Sequence, residues 1–223
     1  MIKSVGLAVL LSFFLILPRQ QSGPVDANRA SRDQKTQDWV AQNYTSIVNQ
    51  LLPGGFLYGT GVPRDVRWST TVRILPAFDK PECSLSLTSK YDGLAVASLT
   101  TATGGTSISK QMSNLRRQGL NIDQISKKIS IRKITVDSRE DPSLVAIVRD
   151  YESLRFAPAL PDYLINDATR YEFWSESMWG AQMRVTLFGA PFGGENQPHP
   201  LLTWAERFRR ILEADMATGG QTR

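Results

Sequence analysis

The 223-residue sequence predicts an α+β fold, an antiparallel sheet of about five to six strands packed by helices, preceded by an N-terminal signal or anchor segment. Segments with apolar residues at every second position, typical of strands, alternate with segments whose apolar residues recur at helical spacing. The pair Asp92-Gly93 lies between two alternating segments and predicts a hairpin. A composition of 41% hydrophobic and 21% charged residues is typical of a folded globular domain.

The N-terminal residues have the pattern of an export signal. Lys3 is followed by a mostly apolar run over residues 5–17, which Pro18 and Arg19 end. The run is shorter than the roughly 20 residues that a membrane-spanning helix needs. We therefore expect residues 1–27 to be a cleaved signal or an uncleaved anchor. The protein would then be exported, periplasmic or secreted, with any membrane contact made only through an uncleaved N-terminal segment.

Composition divides the remaining chain into three parts. Residues 28–68 are expected to contain a linker, an N-terminal helix over 33–52 and a loop rich in glycine and proline. Residues 69–214 are expected to form a single α+β domain, and residues 215–223 a flexible tail. The N-terminal helix is predicted from one apolar stripe at helical spacing, formed by Trp39, Val40, Tyr44, Ile47, Val48 and Leu51.

Alternating residues predict the first strands of the sheet. One strand is expected over 71–75, and two more over 83–91 and 94–100, joined by the Asp-Gly turn. A two-residue loop would place Tyr91 opposite Leu94. That register puts four apolar side chains on one face, namely Leu85, Leu87, Leu94 and Val96.

The single cysteine restricts the covalent chemistry of the chain. Since Cys83 has no second cysteine to pair with, no intramolecular disulfide can form. Alternation places Cys83 on the same side as Leu85 and Leu87. The sequence therefore predicts a buried, inert thiol.

Three helices and a strand are predicted in the middle of the chain. One helix is expected over 107–118, ended by Gly119, and a short one follows with Asn121 as its cap. A strand is expected over 131–136. A further helix should begin with Asp141 at the cap and proline in the first turn.

Residues 169–189 predict a second hairpin, central to the domain, with its turn at residues 179–181. Alternation assigns Glu172 and Glu176 to the face that we expect to form the core, together with Trp174, Met178, Met183, Val185 and Leu187. Tyr171, Phe173, Arg184 and Phe188 would lie on the opposite face. A last helix over 201–213, with an apolar stripe that includes Trp204 and Phe208, is expected to dock on this hairpin.

Charge suggests one candidate binding surface. The net charge of +5 is a mild excess and does not by itself indicate nucleic-acid binding. Residues 110–133, however, contain one acid, Asp123, among seven basic residues: Lys110, Arg116, Arg117, Lys127, Lys128, Arg132 and Lys133. If the fold brings these together, the surface could hold phosphate, acidic polysaccharide or lipid headgroups. No aromatic residue is interleaved with them, so no nucleic-acid partner is expected.

Catalytic chemistry has few candidate residues. His199 is the only histidine and lies between two prolines, where we expect it to fix and cap the start of a helix. One histidine and one cysteine cannot form an ordinary zinc site, so no metal or other cofactor is expected. Glu172 and Glu176 would lie roughly 13 Å apart on one strand, too far for a glycosidase pair, and are expected to pair with arginines.

These observations favour a non-catalytic exported domain that binds a protein partner or an anionic ligand. The alternative is a hydrolase that uses His199 with Glu172 or Glu176. The residues expected to bind the ligand or partner are Arg116, Arg117, Lys127, Lys128, Trp179 and His199.

Overall fold

The computed structural model describes residues 24–59, 61–77, 80–154, 169–189 and 199–218. The apolar N-terminal run and residues 190–198 lie outside the described residues, as does most of the predicted C-terminal tail. Among the helices that the structure describes, none combines the length and apolar character that crossing a membrane requires.

The described residues form five helices and a six-stranded antiparallel sheet, which confirms the α+β class. The strand order across the sheet is β4-β3-β2-β1-β5-β6. The helices are α1 (Pro24–Leu51), α2 (Ile108–Arg117), α3 (Ile122–Lys128), α4 (Ser143–Ser153) and α5 (Pro200–Ala217). The strands are β1 (Val66–Leu75), β2 (Cys83–Lys90), β3 (Ala95–Ala102), β4 (Ile131–Asp137), β5 (Thr169–Ser177) and β6 (Gln182–Gly189).

The chain divides into two compact units after Lys35, within α1. In the first unit, the described residues belong to the N-terminal part of α1. Residues 28–32, which we expected to be a linker, are therefore helical. The second unit, Thr36–Arg223, contains the rest of α1, the sheet and the other four described helices.

One face of the sheet forms an apolar core with α4 and α5. Alternate strand residues contribute Val72, Ile74, Cys83, Leu85, Leu87, Ala97, Leu99, Tyr171, Phe173 and Leu187. From α5, Trp204 and Phe208 pack into this core, and the Trp204 Nε1–H donates a hydrogen bond to the Ile147 carbonyl of α4 at 3.0 Å. Burial raises the pKa of the Cys83 thiol to about 12, so the thiol stays protonated at neutral pH, as predicted for an inert cysteine.

The opposite face of the sheet carries a second, smaller core and a polar region. Helices α1, α2 and α3 supply Ile47, Ile108, Met112 and Ile125. These cluster with Leu52, which follows α1, and with Leu75 and Ala102 at the ends of β1 and β3. Over the rest of this face the strands present polar groups, among them Arg73, Ser86 and Glu172. The sheet therefore separates a mainly apolar layer from a layer in which apolar residues cover only part of the face.

The β2–β3 register differs by one residue from the predicted register. Lys90 N–H donates to the Leu94 carbonyl, so residues 91–93 form a three-residue loop, with Gly93 at φ 85°. Leu87 consequently lies opposite Ala97. Leu94 and Val96 therefore do not share the face of Leu85 and Leu87, and that prediction is wrong.

The central hairpin differs from its prediction in the same way. Ser177 N–H donates to the Ala181 carbonyl across a three-residue loop, and Gly180 takes φ 76°. Phe173 then lies opposite Val185, and Trp174 opposite Arg184. The apolar core contains Tyr171, Phe173, Val185 and Leu187. Trp174 and both glutamates therefore lie on the opposite face of the sheet, not on the core face as predicted. The predicted assignment of the β6 residues to the two faces is also wrong.

Helix ends agree more closely with the sequence. Asn121 caps α3 in a reciprocal capping box with Gln124, as its position predicts. For α4 the sequence predicts Asp141 at the cap and proline in the first turn, whereas the helix begins one residue later, at Ser143, with Pro142 at the cap position. The Asp141 carboxylate accepts the Ser143 backbone N–H at 2.9 Å. Helix α5 continues to Ala217, so the first part of the predicted flexible tail is helical.

Candidate functional site

A buried arginine forms the floor of a cleft on the polar face of the sheet. Arg73 of β1 lies opposite Glu172 of β5, and its side chain is only 8% exposed. Its Nη1 lies 3.3 Å from the Glu172 carboxylate and donates to Asn49 Oδ1 at 2.8 Å, while Nη2 donates to the Leu52 carbonyl at 3.1 Å. Because α1 ends at Leu51, this guanidinium also places positive charge at the helix C-terminus, where the backbone carbonyls favour it.

Gly54 makes room for the Arg73 side chain. A Cβ atom at residue 54 would lie 1.9 Å from Arg73 Nη2 and 2.5 Å from Cζ. Any other residue would therefore have to displace the guanidinium from its hydrogen bonds to Asn49 and the Leu52 carbonyl. Glycine is needed here for close approach, so that the chain leaving α1 can cover the arginine.

A tryptophan separates two of the arginines. The Arg73 Cζ lies 5.4 Å from the centroid of the Trp174 ring, and the Arg184 Cζ lies 5.9 Å from the same centroid. Arg184 takes this position because it lies directly opposite Trp174 on β6. The π face of the indole attracts both cations, which offsets part of their mutual repulsion.

The third arginine lies on β5. Arg170, Glu172 and Trp174 share one face of the strand because they alternate along it. The Arg170 Nε lies 3.4 Å from Glu172 Oε1, so one carboxylate faces a guanidinium on each of its oxygens. The Nε atoms of Arg73 and Arg170 are buried, and within the described part of the chain neither has a hydrogen-bond partner.

These side chains line a cleft of about 410 Å³ between α1 and the β1–β5–β6 part of the sheet. Tyr44, Thr45 and Asn49 of α1 form its opposite wall. Among the described lining residues, three guanidinium groups face one carboxylate, that of Glu172. The cleft therefore has an excess of positive charge in a concave, partly buried setting.

A second buried carboxylate supports the wall of the cleft. Glu82 accepts a hydrogen bond from Tyr44 Oη at 2.8 Å through Oε1, and from the Ile108 backbone N–H at 2.6 Å through Oε2. Burial raises the pKa of Tyr44 and of Glu82 above their ordinary values. The pair ties α1 to the start of α2 and so fixes the helix that covers the cleft.

The predicted basic surface is a different region of the molecule. Arg116 and Arg117 lie in the last turn of α2, and Lys127 and Lys128 lie in the last turn of α3. The helix dipole stabilises positive charge at these C-terminal ends. Arg116 also lies over the Trp39 ring, with its Cζ 4.9 Å from the ring centroid. None of the four is among the described residues that line the cleft.

The structure does not gather all the basic residues of that stretch. Arg132 donates to the Met216 carbonyl of α5 at 2.7 Å, which places it on the α5 side of the sheet. Helices α2 and α3 lie on the other side. Arg132 is therefore separated from Arg116, Arg117, Lys127 and Lys128 at the ends of these two helices.

Trp179 and His199 are separated from that surface and from each other. Trp179 lies at the tip of the β5–β6 loop and is 83% exposed. His199 caps α5, its Nδ1 accepting the Leu201 backbone N–H at 3.2 Å, as its position between prolines predicts. Helix α5 begins near the other end of β6, since the end residue Gly189 approaches Leu202.

The residues of the alternative hydrolase do not meet in the described structure. Glu172 is held by Arg73 and Arg170, as we expected, whereas Glu176 is buried and accepts hydrogen bonds from Ser69 Oγ and the Tyr58 backbone N–H. Both glutamates lie on the α1 side of the sheet, while His199 begins α5 on the other. Within the described residues, His, Cys, Asp and Glu side chains form no group able to hold a metal ion.

The cleft was not predicted from the sequence, although each of its arginines has a recognisable signal. Arg73 stands between Val72 and Ile74, two residues of a buried strand, where a charge needs a partner. The error in the hairpin register placed Arg184 on the face opposite Trp174, so the two were not associated. The chain matches no protein-family model, and comparisons with curated proteins and with solved structures also give no significant match.

Proposed function

We propose that the protein is an exported, non-catalytic domain that binds an anionic ligand in the arginine-lined cleft. The observation that carries this proposal is the charge of the described lining, in which three guanidinium groups face a single carboxylate. Like charges that lie this close repel one another, and an anion in the cleft would remove that repulsion. The apolar N-terminal run of the sequence supports export.

The positions of the three arginines suggest different roles. Arg73 already donates to Asn49 and to the Leu52 carbonyl, so it holds the floor of the cleft and supplies positive potential. Arg184 is exposed, and the Arg170 side chain is 40% exposed. These two can reach an incoming anion, and guanidinium groups bind oxyanions through paired N–H donors.

Charge reversal tests the proposal. Calorimetric titration of the full chain with inorganic phosphate, sulfate and citrate should detect binding of at least one of these anions, weakened by added salt. Arg184→Glu and Arg170→Glu should each weaken that binding by about tenfold or more, because each removes a donor and introduces repulsion.

Two matched variants serve as controls. Arg210→Glu reverses an exposed charge on α5, on the other side of the sheet, and Trp179→Ala removes the exposed indole at the hairpin tip. Both should bind as the unmodified chain does. Absence of binding to all three anions, or equal losses in Arg184→Glu and Arg210→Glu, would contradict a site in the cleft.

A further inference from the structure

We propose that the group bound in the cleft is a doubly charged phosphate monoester; this inference depends on the anion-binding function proposed above. The described lining carries two more guanidinium groups than carboxylates. A singly charged carboxylate would leave half of that excess uncompensated. A phosphate monoester carries close to two negative charges at neutral pH and has three acceptor oxygens.

The number of donors in the cleft agrees with an oxyanion that has three acceptor oxygens. Arg170 meets Glu172 through Nε, so the Nη edge of its guanidinium is the side that can bind a phosphate through two N–H groups. Arg184 approaches from the neighbouring strand, across from Trp174. Both guanidinium groups line the cleft, and together they offer more N–H donors than a planar carboxylate with two oxygens can accept.

The depth of the cleft favours a terminal phosphate over the backbone of a polymer. The Arg73 guanidinium lies at the floor, 8% exposed and closely covered by Gly54. Its potential acts most strongly on a group that enters the cleft, because charges at the protein surface are screened by water and salt. A phosphate at the end of a molecule can enter, whether that molecule is a soluble metabolite or a lipid headgroup.

Two esters of the same shape but different charge show whether the charge of the ligand determines its affinity. Ethyl phosphate and ethyl sulfate are both tetrahedral, but at pH 7.5 the first carries close to two charges and the second carries one. Calorimetric titration of the full chain should show ethyl phosphate binding about tenfold more tightly than ethyl sulfate, as expected for one additional charge near two guanidinium groups.

The pH dependence of the same pair gives a second readout. At pH 5.0 most ethyl phosphate is singly charged, since its second pKa is about 6, and its preference over ethyl sulfate should largely disappear. The titratable and charged groups facing the cleft are Tyr44, Arg73, Arg170, Glu172 and Arg184. Ethyl sulfate does not change its charge in this range, so its affinity reports any titration of the protein itself.

Variants and vesicles complete the experiment. Arg184→Gln should reduce ethyl phosphate binding by about tenfold, and Arg210→Gln should leave it unchanged. Binding to phosphatidylcholine vesicles only when they contain phosphatidic acid, with ethyl phosphate as a competitor, would assign the phosphate to a lipid. Tight ethyl phosphate binding without vesicle binding would assign it to a soluble molecule, and either result supports the inference.

Equal affinities for the two esters, both lost in Arg184→Gln, would overturn the phosphate assignment and leave the anion-binding proposal standing. No binding of either ester, of inorganic phosphate, of sulfate or of citrate would overturn both.

Discussion

Glu82 connects three elements through one buried side chain. Its two carboxylate oxygens accept hydrogen bonds from Tyr44 of α1 and from the Ile108 N–H at the start of α2, and it immediately precedes β2. The residue is only 2% exposed, so its charge is poorly solvated, and this burial raises the pKa of the carboxyl group. Stability should therefore depend on the protonation of this residue.

We expect Glu82→Gln to change the pH dependence of unfolding. The pKa of Glu82 in the folded state lies above the ordinary value of 4.5. The stabilisation that comes from its protonated form is therefore complete below pH 4.5 and is lost as the pH rises through the folded-state pKa. The difference in unfolding free energy between the unmodified chain and the glutamine variant should shift in favour of the unmodified chain as pH falls from 8 to 4.

Urea unfolding at several pH values would measure that difference. Asp123→Asn, an exposed carboxylate on α3, is the matched control and should show a much smaller pH dependence. A difference for Glu82→Gln that does not vary with pH would show that burial of the charge has no energetic effect.

At the scale of elements, His199 sets the start of α5. Its ring nitrogen accepts the Leu201 N–H, and Pro200 occupies the first turn. Backbone N–H groups at a helix start need acceptors, and losing a capping side chain typically costs about 0.5–2 kcal/mol. We expect His199→Ala to lose about that much unfolding free energy, and His199→Asn to retain most of it, because asparagine also caps helices.

Thermal and urea unfolding of the two variants would test this role. Equal losses in His199→Ala and His199→Asn would indicate that the imidazole contributes by packing rather than by accepting the Leu201 N–H.

The sequence specifies the position of each hairpin but not the number of residues in its loop. Both hairpins were located correctly, because Gly93 and Gly180 mark turns between alternating segments. Each loop has three residues, with the glycine last at positive φ, whereas Asp-Gly also favours a two-residue turn. Local sequence does not decide between these loops, and a difference of one residue exchanges the two faces of a strand.

The helices were predicted more closely because their signals are local. Asn121 and Gln124 form the capping box within four residues of chain. One exception is the first part of α1, which includes the predicted linker over residues 28–32. Another is the end of α5, where Met216 is buried and its carbonyl accepts a hydrogen bond from Arg132 of β4. That contact joins distant parts of the chain, so the local pattern could not indicate it.

At the scale of the whole molecule, one sheet belongs to two cores. Leu87 is fully buried in the core on the α4–α5 side, and Met112 of α2 is fully buried in the core on the opposite side. Since β1 and β3 contribute residues to both cores, we expect the two layers to unfold together.

Leu87→Ala and Met112→Ala should each lower the unfolding free energy by about 2–5 kcal/mol and leave one cooperative transition. Val145→Ala, at a residue 43% exposed on α4, should have a far smaller effect. Circular dichroism and tryptophan fluorescence recorded during urea unfolding would check this expectation. Two separate transitions in either core variant would show that the layers are independent.

The same topology explains why the cleft was missed. Arg73 and Arg170 are distant in sequence and come together because β5 pairs with β1 instead of with β4, the preceding strand. Patterns in the sequence predict strands and faces, but the choice of neighbouring strand depends on the whole chain.

The close approach of Gly54 to Arg73 has a consequence for evolution. The guanidinium keeps its present position and hydrogen bonds only while residue 54 lacks a side chain. Homologous chains that retain arginine at position 73 should therefore retain glycine at position 54, and chains that accept alanine at 54 should carry a shorter residue at 73. The two positions are therefore expected to covary, and the steric contact requires residue 73 to shorten before residue 54 gains a side chain.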